Sequence, residues 1–497
     1  MVCPDEPDPA KKDMFVHPIH YGKGVYPVPD TLAEDIQLGP SCGDGVDGVD
    51  VVDGVYDVLL SPKTAFSKQS AKTWHTHYTT DPAYIRDTQK ILKRIHSAKG
   101  TFNHTIRDNV VQVNLLESWA RISDQDTNSF IESYHYISPN PLRRLNKNPT
   151  ILQAVNLYVM ASPVMALILP IISLLFPFLL LRFRGVQINA STYADMLKNV
   201  ISRHPVGQIF YNLGSVSWDK VVYLLFTVGM YLVQIYQNAR SCIRYYGNIT
   251  HVHETIRALR EFAKQSIENI CAMRGLCDGS ALESNNYTKL IERAEGYAET
   301  LTTFNDSACV VDESWGGVGK YMYTGDVMRV FYEMRTDRDF NEAVDYMIGF
   351  NGYIENLLSI STPLTHGDIN PVEINHREKL TFEGGHHPLV VTQQTTSDPI
   401  VTNSYSLSKN MVISGPNASG KTTLLKSTLV NAVLCQQIGC GFFASCTSPL
   451  YDKFHCYLNI PDTSDRDSLF QAEARRCRDM LRTIEDMSPT ARHLCVM

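Results

Sequence analysis

Between His253 and Met273, apolar residues recur every three or four positions, at Ile256, Leu259, Phe262, Ala263 and Ile267. That spacing lines one face of a helix. Glu283 to Phe304 and Asn341 to Leu358 repeat it, so residues 240–370 read as a long-helix lever or core domain. Asp81 to Ser97 predicts another helix, with Asp81 as cap, Pro82 in the first turn, and Ile85, Ile91, Leu92 and Ile95 on one side. Past Pro371 the pattern changes. Short β-like runs at Leu389–Thr392, Met411–Ser414 and Cys440–Ala444 alternate with helical stretches, as in a mixed α/β sheet. The expected fold class is therefore α followed by α/β.

Two stretches lack the usual mixture of polar and apolar positions. Asn148 to Leu181 is 34 residues without a charge and contains Pro163, Pro170 and Pro177; Val221 to Ala239 is 19 residues without one. A helix needs about 20 apolar residues to cross a bilayer, and membrane helices tolerate internal proline better than soluble ones. The expectation is a transmembrane helical hairpin within residues 148–239, or a re-entrant segment for the first stretch. A pair of long core helices is the alternative. Residues 56–147 read as a helical N-terminal part.

Composition adds limits. Residues 1–55 are rich in Pro, Gly and Asp and predict a flexible lead-in; the Gly-Asp near-repeat at 43–50 lacks the spacing of a calcium loop. No apolar core of a secretory signal is present there. The formal charge of −7 offers no global basic field for nucleic acid. Twelve cysteines without a CxxC pair suggest free thiols in a reducing, intracellular compartment. Trp74-His75-Thr76-His77 shows two histidines without a third ligand, so surface or interface roles are expected.

The sharpest chemical signal is Gly415-Pro416-Asn417-Ala418-Ser419-Gly420-Lys421-Thr422-Thr423. It fits the phosphate-binding pattern Gly-x4-Gly-Lys-Ser/Thr. Asn410 to Ser414 before it reads as a short buried strand, and Thr423 to Gln437 after it as a helix. Main-chain N–H groups in such a loop, with the helix dipole behind them, cradle an anion. Lys421 is the expected partner of the β- and γ-phosphates and Thr422 the expected Mg²⁺ ligand.

The last 120 or so residues resemble the ATPase domain of the MutS family of DNA mismatch-repair proteins. The resemblance rests on five segments in order. They are Gly385-His386-His387-Pro388, the phosphate loop with its Pro416-Asn417 pair, Ile438 to Ala444, Tyr451-Asp452-Lys453-Phe454, and Ser468-Leu469-Phe470-Gln471-Ala472-Glu473. The Leu-Ser-Gly-Gly-Gln signature of ABC-type relatives is absent.

The resemblance implies a P-loop, ABC-like ATPase domain over 371–497 that binds ATP with Mg²⁺ and pairs as a homo- or heterodimer. Ser468 would reach the phosphate held by the partner, Asn417 would face the γ-phosphate or attacking water, and His387 would lie near the adenine. DNA is the implied partner. The family's Asp-Glu pair would follow a strand such as His493 to Met497, so the chain reads as a fragment ending before its second nucleotide motif. Val330-Phe331-Tyr332-Glu333 resembles the family's mismatch wedge, but its place in a helical stretch reads as core packing. A rival reading is a membrane-anchored mechanochemical ATPase with a protein partner, its nucleotide domain on the cytosolic side.

Overall fold

A computed structural model describes residues 15–39, 54–102, 108–123, 125–185, 189–203, 218–313, 322–376, 379–393, 400–458 and 469–497. Side chains at several positions of the helices, among them some between 167 and 178, also lie outside the described set. The N-terminal elements are β1 (Val25–Pro27), α1 (Asp30–Asp35), α2 (Val55–Leu60), α3 (Ala65–Ala71), β2 (His77–Thr79), α4 (Pro82–Ser97) and α5 (Asn109–Ser123). Then come α6 (Thr127–Ser133), α7 (Pro149–Phe183), α8 (Ala190–Arg203), α9 (Trp218–Asp278), α10 (Asn286–Ala308), α11 (Val310–Glu313), α12 (Thr324–Thr336) and α13 (Arg338–His366). The last part holds β3 (Asn370–Pro371), β4 (Glu373–Ile374), β5 (Thr381–Gly385), α14 (Pro388–Gln393), β6 (Asn403–Ser406) and α15 (Lys421–Gln437). It ends with β7 (Cys440–Gly441), β8 (Ser445–Ser448), β9 (Lys453–Cys456), α16 (Leu469–Asp486) and β10 (His493–Val496). The protein is mostly helical with small mixed sheets.

The chain divides into two compact units. One comprises Met1–Glu117, Arg260–Asn305 and Arg338–Met497, the other Ser118–Leu259 and Asp306–Asp337. In the first, α13 is buried along most of its length and receives α3 and α4. Gly352 makes the close approach of α3 feasible, since a Cβ there would sit 2.3 Å from the Phe66 carbonyl oxygen. Asp81 caps α4 by accepting from the Ala83 N–H at 2.9 Å, as the sequence predicts. Residues 15–39, expected as part of a flexible lead-in, carry β1 and α1 and bury Ile19, Leu32, Ile36 and Leu38.

Four strands of the first unit form a mixed sheet in the order β4-β8-β5-β6; β9 and β10 pair in parallel, β3 with β7 and β1 with β2 antiparallel. Two β-like expectations are corrected. Leu389–Thr392 lies in α14, because Pro388 supplies a preset first helical position. Met411–Ser414 pairs with no strand among the described residues, and Val412 is 93% exposed. Apolar alternation needs a neighbouring strand to become a ladder, and among the described residues none pairs with it.

In the second unit, α7 takes up the first charge-free stretch, and the second lies in the first part of α9. The two helices run antiparallel. The Tyr231 hydroxyl donates to the Ala166 carbonyl at 3.0 Å, the Cys242 thiol to the Met160 carbonyl at 3.6 Å, and Tyr245 bonds Asn156. Among the described residues, no helix is long and apolar enough to cross a membrane. The expected transmembrane hairpin is corrected to this helical pair. The runs contain Gln153, Asn156, Gln234, Gln237 and Asn238, and Asn156 is buried against Tyr245. Several apolar side chains do face outward, including Leu157, Phe176, Leu225 and Phe226. Phe331 is fully buried against Phe130 and Tyr134, with ring centroids 5.5 and 4.9 Å away. It is core, as its helical setting predicts.

Candidate functional site

The phosphate-loop sequence runs directly into α15, which starts at Lys421. Two residues of the loop adopt left-handed backbone, Ala418 at φ +61° and Gly420 at φ +87°. Gly420 takes that conformation without strain; an alanine does so at a cost of about 1 kcal/mol or more. The Lys421 ammonium folds back and donates to the carbonyl oxygens of Gly415 at 2.8 Å and Pro416 at 2.7 Å. Gly415, Pro416, Asn417, Ala418, Ser419, Gly420, Thr422 and Thr423 are exposed. The structure therefore brings a cation, an open loop and a helix N-terminus together. Those are the parts an anion cradle needs.

The Thr422 hydroxyl is exposed in the first turn of α15. Mg²⁺ binds a phosphate loop through one protein hydroxyl, phosphate oxygens and retained waters, and this donor set fits that mode. Among the described residues, no group of three or more His, Cys, Asp or Glu could hold a metal by itself. His75 and His77 are half-buried. Ser468 lies outside the described residues.

His387 sits just before α14 and is 5% exposed. Its Nδ1 accepts from the Leu389 N–H at 3.3 Å, so Nε2 carries the proton; Nε2 is buried without a partner among the described residues. Burial, then Lys426 and His386, lower its pKa to about 4, which keeps the ring neutral. The preceding backbone is fixed to α15, because the Asn431 amide donates to the His386 carbonyl at 3.1 Å and accepts from Phe442 N–H at 2.7 Å. Lys426 and Asn431 belong to α15. The same helix therefore carries the loop and fixes the surroundings of this unpartnered donor.

A cleft of about 820 Å³ opens between residues 410–413, the first turns of α15 at Leu424 and Leu425, and β10. None of the loop residues 415–423 lines it. The candidate anion cradle is thus the loop itself and not this cleft.

Sequence reasoning missed the far end of α15. Gln436 and Gln437 are 1% and 4% exposed, and both amides are bonded to main chain brought in from the N-terminal segment. Two adjacent glutamines closing an apolar helix were the only local sign of this.

No protein-family model matches the chain. It is 30% identical over 126 residues to the DNA mismatch repair protein MutS of Parabacteroides distasonis, covering 24% of this chain and 14% of that protein. It is 27% identical over 156 residues to the DNA mismatch repair protein Msh3 of Dictyostelium discoideum, covering 28% and 11%. MutS of Flavobacterium johnsoniae is 28% identical over 124 residues, covering 23% and 14%. The matched part of the chain spans less than a fifth of the length of these curated relatives. The chain thus has weak, partial similarity to mismatch-repair proteins of the MutS and Msh3 kind.

Proposed function

We propose that this protein is a MutS-like ATPase that binds ATP with Mg²⁺ at Gly415–Thr423 and acts in mismatch repair or related DNA binding through nucleotide-driven closure of a dimer. One observation carries the reading. The Lys421 ammonium occupies its own loop, bonded to Gly415 and Pro416, where an anionic ligand would replace two neutral carbonyls. Lys421 donates from an ammonium in both cases, but a phosphate oxygen adds the attraction of an opposite charge that a neutral carbonyl lacks, so the exchange favours the nucleotide.

In this reading Lys421 swings onto the β- and γ-phosphates, and the N–H groups of 418–423 close around them. Bound Mg²⁺, held by Thr422 and phosphate oxygens, supplies charge neutralisation at the terminal phosphate. Asn417 orients the γ-phosphate or the attacking water, and His387 offers its free N–H to the base. Ser468 donates to the nucleotide of the partner copy, whether identical or not.

Phosphate release from Mg²⁺-ATP, with and without duplex DNA, tests the proposal. We expect slow turnover that Lys421→Ala abolishes, and duplex binding that weakens steeply with salt. Turnover without any salt-dependent duplex binding would remove DNA from the account and leave a protein partner. Turnover unchanged in Lys421→Ala would refute the site.

A further inference from the structure

The helix that begins at the phosphate loop ends in a joint. The Gln436 amide donates to the carbonyls of Thr79 at 3.0 Å and Tyr451 at 2.9 Å, and its oxygen accepts from the Tyr451 N–H at 2.7 Å. The Gln437 amide donates to the carbonyls of His77 at 2.9 Å and Trp74 at 3.5 Å, and its oxygen accepts from the Tyr56 hydroxyl at 2.7 Å. Both amides have spent their donors on main chain, three of the four bonds on β2 and its approach and the fourth on Tyr451 just before β9. Just past the helix, the Gln89 amide of α4 donates to the Gly439 and Val372 carbonyls at 2.6 and 2.9 Å. Gly439 holds φ +75°, and a Cβ there would lie 3.0 Å from the Ile85 carbonyl.

The segment grasped this way is itself locked to α13. The Trp74 indole stacks on Tyr353 with centroids 5.2 Å apart and planes at 21°. The Asn356 amide donates to the Ser67 carbonyl at 3.2 Å, and Thr64 bonds Glu355. A continuous set of contacts therefore leads from α15, through residues 56–79, to α13.

We propose that Gln436 and Gln437 are positioning residues that couple the phosphate loop to α13 through residues 56–79. This rests on the ATP-binding reading above. A helix of 17 residues is about 25 Å long and moves nearly as a rod. When Lys421 leaves its carbonyls for a phosphate, the two amides are directional attachments at the rod's other end. Apolar contacts there could slide, whereas hydrogen bonds with fixed directions to a strand backbone carry the displacement to β2, Trp74 and Tyr353.

The test is hydrogen exchange on the full chain with and without Mg²⁺-ATP, alongside calorimetric binding of ATP. We expect the amides of 74–79 and 350–357 to change exchange rate by threefold or more on ATP addition. In Gln437→Met, ATP should still bind while that change disappears. Tyr56→Phe removes one bond, leaves both amide donors in place, and should reduce the change without abolishing it. The proposal is overturned if ATP binds to the wild type with no change at 74–79, or if the change survives in Gln437→Met. Absence of any binding heat in the wild type would instead overturn the ATP site itself, and the coupling with it.

Discussion

The two ends of α15 are built on opposite principles. At Lys421 the helix opens onto an exposed loop whose one cation is bonded, among the described residues, to the loop's own carbonyls. At Gln437 it is buried and every amide donor is committed. The first end gives up little when its contacts are exchanged. The second leaves buried polar groups without partners if any contact is lost, which costs about 1–3 kcal/mol per group. Within one helix, the difference separates a part made to receive a ligand from a part made to hold a position.

The sharpest way to break this contrast is at the buried end. Gln436→Leu strands the Thr79 and Tyr451 carbonyls and the Tyr451 N–H, and should cost about 3–4 kcal/mol in urea denaturation. A loss below about 1 kcal/mol would mean that the joint is slack. At the open end, Lys421→Ala should weaken Mg²⁺-ATP binding by at least tenfold to a hundredfold, about 1.5–3 kcal/mol. Its melting temperature should match the wild type, since no buried partner is orphaned. Gly439→Ala, forced into left-handed backbone against the Ile85 carbonyl, should destabilise by about 1–3 kcal/mol while leaving nucleotide affinity intact.

A pH titration sharpens the contrast further. His17, His20 and His77 lie together beside Thr73, Trp74 and Gln437. Burial, then His20 and His77, bring His17 down to about 3; burial, then His77, bring His20 to about 4; burial lowers His77. The fold holds the neutral forms, so the unfolded chain takes up protons first as pH falls. Stability should be full above about pH 6.5 and decline toward pH 4, with a slope of up to about 1.4 kcal/mol per pH unit per histidine. Chemical denaturation across that range checks it, and His77→Gln should flatten the slope. The smallest expected effect is Tyr56→Phe, about 1 kcal/mol for one hydrogen bond.

What the sequence conveyed follows the range of the interactions. Helix α4, with its Asp81 cap, and α15 were legible because their signals lie within a few residues. Met411–Ser414 was not, since a strand exists only through its neighbour. The docking of Gln436 on Thr79 spans 357 positions, and nothing local marks which backbone an amide will find. His17 and His20 likewise meet His77 only through the fold. The pairing of the two uncharged stretches was not legible either, since nothing local marks that Asn156 meets Tyr245 or that Tyr231 meets the Ala166 carbonyl.

The most direct measurement is a calorimetric titration of the full chain with ATP, run with Mg²⁺, without Mg²⁺, and on Lys421→Ala. We expect saturable uptake at one site per chain, weakened without the cation and weakened at least tenfold in the variant. Equal uptake by wild type and variant, or no uptake by either, would contradict the proposed site.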